Sequence, residues 1–158
     1  MRILMAVLVA LTVGSVAQAG DTIPERDGWV VIPTSMTYAE LTARMPDAIK
    51  SQKMGKVTEA GPTEVAANRG VTIPGSRIYG VFNNKIAVDV IRLSISAMIE
   101  APVRMYVTEN PNGTATLSYK TPTAVFSPYF EEAGEELRTI AAGMDETFAN
   151  IAAEAVKP

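Results

Sequence analysis

Apolar residues follow two spacings along the chain, and the shorter spacing predicts strands. Runs rich in β-forming residues, apolar on both faces, occupy residues 29–32, where Pro33 ends the run, and residues 77–82. A third short strand is predicted at residues 55–60. Because helices on one side of a sheet cover only one face, the two apolar runs need a cover for their second face as well.

Spacings of three and four residues predict the helices. The first runs from Tyr38 to Ile49, with Ser35 or Thr37 as its N-cap. Pro46 lies inside it, and we expect a kink or a break there because proline removes one backbone donor and crowds the preceding turn. Two shorter elements are a two-turn helix within residues 62–69 and a short helix with an irregular connection within residues 85–100.

The clearest local feature is a β-hairpin that pairs residues 102–109 with residues 114–121. The loop at residues 110–113 has Pro at its second position and Gly at its last, which is typical of a type I turn followed by a G1 bulge. In that register Val107 lies opposite Leu117, so the apolar side chains of both strands share one face.

A long amphipathic helix closes the chain, at about residues 129–156, and it is expected to lie across the sheet or to form a dimer seam. The segment before it, residues 122–129, is predicted to be a stiff loop that packs Phe126 into the core, with a lid over a groove as the alternative. The order strand, helix, four strands, helix predicts an α+β domain. Its β-α-β4-α antiparallel sheet carries helices on one face and ends in the long C-terminal helix.

Residues 1–19 have the three-part order of a cleavable signal peptide. Arg2 precedes an apolar stretch, and Ala17 and Ala19 place small residues before a cleavage site at Gly20. The apolar stretch is about half of the roughly 20 residues that span a bilayer, which favours a signal over an anchor. We expect Sec-type export to the periplasm or the medium and no membrane insertion after cleavage. A lead-in at residues 20–27 and one domain at residues 28–156 follow.

Composition removes several classes of function. The 158-residue chain contains no His and no Cys, which excludes Ser-His-Asp and Cys-His catalysis, disulfides and the usual zinc sites. Its formal net charge of −3 does not favour nucleic acid as a partner. Four glutamates at the start of the long helix are interpreted as charge that complements the helix dipole. We predict no catalytic residue, no metal site and no cofactor.

Three short segments share a pattern with a known family. Asn83 follows a strand, Pro102 leads the strand Pro-Val-Arg-Met-Tyr-Val-Thr-Glu, and Tyr119 ends a Leu-Ser-Tyr segment shortly before another proline. Over about residues 28–128 the chain resembles the domain-of-unknown-function 302 family, although the Gly and Pro that flank the Asn in that family are absent here. The resemblance implies a fold similar to that of the TATA-binding protein, often as a homodimer, and it implies no reaction.

The hairpin face opposite the apolar one supplies the candidate binding site. On that face Arg104 and Tyr106 of one strand lie opposite Lys120 and Ser118 of the other. Like charges directly opposite each other are unfavourable, so we expect a nearby carboxylate or solvation to compensate them, or an anion to bind between them. An anion would have Arg104 and Lys120 as its ligands, with Tyr106 and Ser118 as supporting donors.

The function that the sequence favours is a non-enzymatic module that binds a small ligand or another protein. The second face of the sheet is expected to be covered by residues 85–100, by a second subunit or by a ligand, in that order. The expected partners are a second copy of the chain, a small anionic solute or an envelope protein. The alternative is a hydrolase or isomerase that works without His, Cys or a metal.

Overall fold

Five strands and five α-helices make up residues 23–158, the part of the chain that the computed structural model describes. The strands are β1 (Trp29–Thr37), β2 (Gly55–Ala60), β3 (Ser76–Phe82), β4 (Val103–Glu109) and β5 (Thr114–Lys120). The helices are α1 (Tyr38–Ser51), α2 (Thr63–Asn68), α3 (Asn84–Leu93), α4 (Pro122–Phe126) and α5 (Phe130–Ala155), with 3₁₀ turns at Ser96–Glu100 and Ser127–Tyr129. The expected signal peptide lies outside the described residues.

All five strands form one antiparallel sheet in the order β1-β5-β4-β3-β2. The predicted α+β class and β-α-β4-α order are confirmed, and short helices occupy three of the connections. The hairpin has the predicted register, with Val107 opposite Leu117 and Met105 opposite Tyr119. Gly113 has a φ of 81°, the left-handed conformation that the predicted turn needs.

The core lies between one face of the sheet and the helices α1 and α5. Tyr79, Met105 and Leu117 point from the central strands into this layer and are fully buried. The apolar seam of α5 packs on the sheet, where the rings of Tyr119 and Phe148 lie 5.7 Å apart between centroids. Within residues 23–158 no helix combines the length and the apolar character needed to cross a bilayer.

The first strand is longer than the sequence pattern indicates. It was expected to end at Pro33, yet β1 continues to Thr37. Because β1 is an edge strand, proline's missing N–H is tolerated there, and the pairing with β5 shifts its register between Pro33 and Thr37. Thr37 then caps α1, as one of the two predicted N-caps. Its hydroxyl accepts from the Glu40 amide at 3.2 Å, and Glu40 accepts from the Thr37 amide at 2.8 Å.

The predicted limits of the C-terminal helix need two corrections. Residues 122–126 form α4 and residues 127–129 a 3₁₀ turn, where a loop was expected, although Phe126 is buried as predicted. The long helix is also interrupted, because Gly134 has φ 71° and ψ −158°, which are not helical angles. The 3-4 spacing of apolar residues continues across this interruption, so the spacing alone does not reveal it.

Pro46 does not break α1, which is continuous from Tyr38 to Ser51. Residue 46 has no backbone N–H, so the Thr42 carbonyl lacks its usual partner four residues later. The Tyr79 hydroxyl on β3 donates to that carbonyl at 3.1 Å. Burial raises the pKa of Tyr79, so the hydroxyl remains a donor far into alkaline solution. A side chain from the sheet thus replaces the hydrogen bond that proline removes.

We expect Tyr79→Phe to lower the free energy of unfolding by about 1 kcal/mol, because the Thr42 carbonyl loses its donor. In a Pro46→Ala background residue 46 supplies its own N–H, so the same substitution should cost less than half as much. Denaturant unfolding of the four variants measures this as a double-mutant cycle.

Tyr119→Phe is the matched control for this cycle. Its ring packs on Phe148, and among the described residues its hydroxyl has no hydrogen-bond partner. We expect that substitution to change stability little. An equal cost for Tyr79→Phe in both backgrounds would show that Tyr79 does not replace the missing bond of Pro46.

Candidate functional site

A cleft of ≈ 490 Å³ opens on the sheet face that lies away from α1 and α5. Strands β1, β3, β4 and β5 form its floor, and α4 with the turn after it forms a wall. The lining residues are Trp29, Ile78, Glu100, Val103, Arg104, Tyr106, Ser118, Tyr119, Lys120, Ala124, Val125 and Pro128. A concave site of this size suits a small molecule.

The structure brings all four residues of the predicted anion site to this cleft. The β4–β5 pairing places Tyr106 opposite Ser118 and ends at Met105 and Tyr119. Arg104 and Lys120 are the next residues of the two strands, so the same register brings them to facing positions. Both cationic side chains are exposed, Tyr106 is half-buried, and Ser118 is buried at the floor. The four residues therefore lie together as predicted, and their binding of an anion stays a prediction.

Within the described part of the chain, the two cations of the cleft have no carboxylate partner. Among the ion pairs of the described residues, none includes Arg104 or Lys120. The Lys120 amino group lies 5.8 Å from the centroid of the Trp29 ring, within the range of a cation–π contact. The compensating ion pair that the sequence allowed is therefore not formed in the described part of the chain.

Glu100 is the carboxylate that lines this cleft, and a tyrosine engages it. The Tyr129 hydroxyl donates to Glu100 Oε1 at 2.8 Å, and this bond to the carboxylate raises the pKa of Tyr129. The sequence did not single out Glu100, because only the 3₁₀ turn that ends at this residue brings it to the cleft. Within residues 23–158 no group of three or more acidic side chains is arranged to hold a metal ion.

Ser118 has a hydroxyl whose hydrogen-bonding capacity is unused. The residue is 0% exposed, and its Oγ has no partner among the described residues. Its cross-strand neighbours on this face are Tyr106 and Val31, and the Tyr106 hydroxyl is hydrogen-bonded to Ser76 Oγ at 2.8 Å instead. Neighbouring side chains cover the Ser118 oxygen, so a ligand reaches it only when one of them moves aside.

The helical wall of the cleft is formed by the segment for which the sequence predicted a stiff loop, with a lid over a groove as the alternative. Helix α4 is held against α5 by the Thr123 amide, which donates to Asp145 Oδ1 at 2.9 Å. The start of β1 approaches α4 closely at Gly28, which has a φ of 73°, and a Cβ there would lie only 2.7 Å from the Cβ of Ala124. The glycine directly before β1 is the sequence feature that could have indicated this close contact with α4.

Residues 85–100 do not cover the open face, although they were the first expectation for that role. Helix α3 packs against α5 on the other side of the sheet, and of this segment Glu100 alone lines the cleft. An apolar helix can satisfy its buried face against another helix as well as against a sheet, and the sequence does not distinguish the two.

The three residues that carried the family resemblance stabilise the fold through local contacts. Asn83 caps α3, where its Oδ1 accepts from the amides of Lys85 at 2.9 Å and Ile86 at 3.2 Å. Pro102 lies against the backbone of Gly80, where a Cβ would approach its Cγ to 2.8 Å. Tyr119 is in the core beside α5. All three positions support the fold, and Tyr119 also borders the cleft.

Comparison with known proteins agrees with this fold. The sequence profile described as "Domain of unknown function DUF302" matches residues 30–155. The chain belongs to the DUF302 family. A similar solved structure is the crystal structure of an uncharacterized conserved protein DUF302 from Bacillus stearothermophilus, with a TM-score of 0.71 and 19% identity over 82% of this chain and 99% of that chain. This likeness shows the fold. No curated protein matches the sequence.

We expect Ser118→Ala to leave the stability of this DUF302 domain unchanged or to raise it by up to about 1 kcal/mol, because it removes a buried hydroxyl that has no partner within residues 23–158. Thr116→Val should lower stability by about 1 kcal/mol, since the Thr116 hydroxyl donates to Asn110 Oδ1 at 2.9 Å. Thermal or denaturant unfolding compares the two.

Thr108→Val is the control, because the Thr108 hydroxyl is also buried, has no partner in the described part of the chain, and lies outside the cleft lining. It should behave like Ser118→Ala. A loss for Ser118→Ala as large as that for Thr116→Val would contradict the assignment of Ser118 as unpartnered.

Proposed function

We propose that this DUF302 domain is a non-enzymatic module that binds a small anion in the cleft. The observation that carries the proposal is the pair of cations, Arg104 and Lys120, which have no carboxylate partner among residues 23–158 and lie on the same face as the buried Ser118 hydroxyl. Neighbouring like charges repel each other in the free domain. An anion between them turns this repulsion into attraction, and charge-assisted hydrogen bonds stabilise the complex.

The surroundings of the cations support an anion over a larger charged partner. Both lie inside a concave site with one helical wall. This enclosure favours a small ligand that contacts both cations over a large charged partner. The Trp29 ring beneath Lys120 restrains that side chain, which lowers the entropy lost when a ligand binds. Because both cations are exposed, salt should weaken the interaction.

The rival function, a hydrolase or isomerase, has less support in this cleft. A serine nucleophile needs a neighbouring base, and among the described residues Ser118 has no hydrogen-bond partner at all. The Glu100 carboxylate is hydrogen-bonded to Tyr129. These contacts favour binding over catalysis.

We expect Arg104→Gln and Lys120→Gln each to weaken anion binding about tenfold or more, because each removes a charge-assisted contact. Isothermal titration calorimetry with acetate, sulfate and phosphate at low salt measures the affinities. Lys85→Gln is the matched control, since it removes the same charge at a side chain that is 88% exposed and paired with Asp89 on α3. Unchanged affinities in both cleft variants, or no binding of any of the three anions, would refute the proposal.

Export and self-association also remain proposals. The apolar stretch and small residues of 1–19 support secretion with cleavage before Gly20. The family resemblance supports a homodimer, and Ile95 and Ile99, which are 82% and 79% exposed, are apolar surface that association would cover. One preparation tests both: protein from the periplasm of an expressing bacterium should begin at Gly20 and sediment as a dimer. An intact N-terminus would exclude processing at this site, and a monomer at micromolar concentration would exclude the dimer.

A further inference from the structure

We infer that the ligand is an amphiphilic monoanion, a single anionic head group joined to an apolar body. This inference rests on the proposed anion-binding function and adds the class of ligand. It is carried by the arrangement of apolar and polar side chains around the two cations.

The strand register arranges the floor of the cleft in two rows across the sheet. In the first row Trp29 of β1 pairs with Lys120 of β5, beside Arg104 of β4, which pairs with Gly80 of β3. The polar groups of this row are therefore on the two inner strands, with an aromatic ring on one flank. On the other flank Gly80 has no side chain of its own, and Pro102 and Thr58 Oγ1 of β2 occupy the place that its Cβ would take.

The second row repeats this order. Val31 of β1 pairs with Ser118 of β5, which pairs with Tyr106 of β4, which pairs with Ile78 of β3. Donor groups again occupy the two central strands and apolar side chains the two outer ones. The anionic head is thus expected over the centre of the floor, with apolar surface on both sides of it.

The apolar part of the cleft is too extensive for an inorganic anion alone. Ile78 is 38% exposed on the floor, and Val125 and Pro128 face the cleft from the helical wall. A sulfate or phosphate ion would leave these side chains in water. An apolar body attached to the head group would bury them, and that burial adds affinity.

Glu100 restricts the ligand to one negative charge. Its carboxylate lines the same cleft and accepts a hydrogen bond from Tyr129, so it is oriented by the protein. A second carboxylate on the body of the ligand would meet this charge in a partly enclosed site, where repulsion is stronger than in bulk water. We therefore expect discrimination against dianionic analogues of the same length.

A chain-length series tests the inference. Acetate, butyrate, hexanoate and octanoate are titrated into the mature domain, residues 20–158, by calorimetry and by Trp29 fluorescence. The chain contains one tryptophan and it lines the cleft, so its emission reports binding there directly. Affinity should rise about two- to fourfold for each added methylene until the cleft is filled. Octanol, and the eight-carbon dicarboxylate suberate, should both bind at least fivefold more weakly than octanoate.

Two kinds of variant separate the head from the body. Ile78→Thr and Val125→Thr should reduce the increase per methylene while acetate binding stays within twofold. Arg104→Gln should weaken all four carboxylates by a similar factor. Val57→Thr is the matched control, because Val57 is an exposed strand valine, 52% exposed, outside the cleft lining. Octyl sulfate compares a second anionic head with the same apolar body.

The outcomes distinguish the inferred ligand class from the proposed anion-binding function. If acetate binds in an Arg104-dependent way and affinity does not rise with length, or suberate binds as well as octanoate, the amphiphilic monoanion is refuted and the anion module stands. If octanol binds as well as octanoate, or no carboxylate binds, both are refuted. If Ile78→Thr and Val125→Thr leave the rise of affinity with chain length unchanged, the apolar part of the ligand lies elsewhere and the inference is refuted.

Discussion

The pairing register of β4 with β5 determines both the core and the cleft. With Met105 opposite Tyr119, one face of the hairpin delivers its apolar side chains to α1 and α5. The same register puts Arg104 and Lys120, with the residues between them, on the other face. Because side chains alternate along a strand, a slip of one residue would exchange these two faces. The burial of the apolar face therefore also fixes the arrangement of the candidate site on the opposite face, although none of the four polar residues of that site belongs to the apolar core.

The hairpin could be predicted because the chemistry that specifies it is local. Four loop residues favour one turn type, and the alternation of apolar residues agrees with that turn alone. The continuity of α1 through Pro46 could not be predicted, because the donor that compensates comes from Tyr79, far away in the chain. The helical wall could not be predicted for the same reason, because the Thr123–Asp145 contact that holds α4 joins residues that are far apart in the sequence. Local signals therefore predicted the floor of the cleft, and tertiary contacts built its wall.

Two buried hydroxyl groups on the cleft side of β5 differ in their hydrogen bonding. The Thr116 hydroxyl on β5 donates to Asn110, whereas the Ser118 hydroxyl, two residues further on the same strand, has no partner among the residues that the structure describes. An alanine at position 118 would fill the same space without a polar atom to satisfy. The two positions therefore differ in what their hydroxyls contribute to stability, because Thr116 adds a hydrogen bond and Ser118 adds none among the described residues.

The two ends of the described chain leave the domain on different sides. Arg26 lies 5.1 Å from the centroid of the Trp29 ring, so the chain enters the sheet at the rim of the cleft. At the other end, the Arg44 guanidinium on α1 donates to the carbonyl of Lys157, which holds the C-terminus on the helical side. A surface tether or an affinity tag attached after residue 158 would therefore leave the mouth of the cleft open to solution. The same attachment before residue 26 would crowd it.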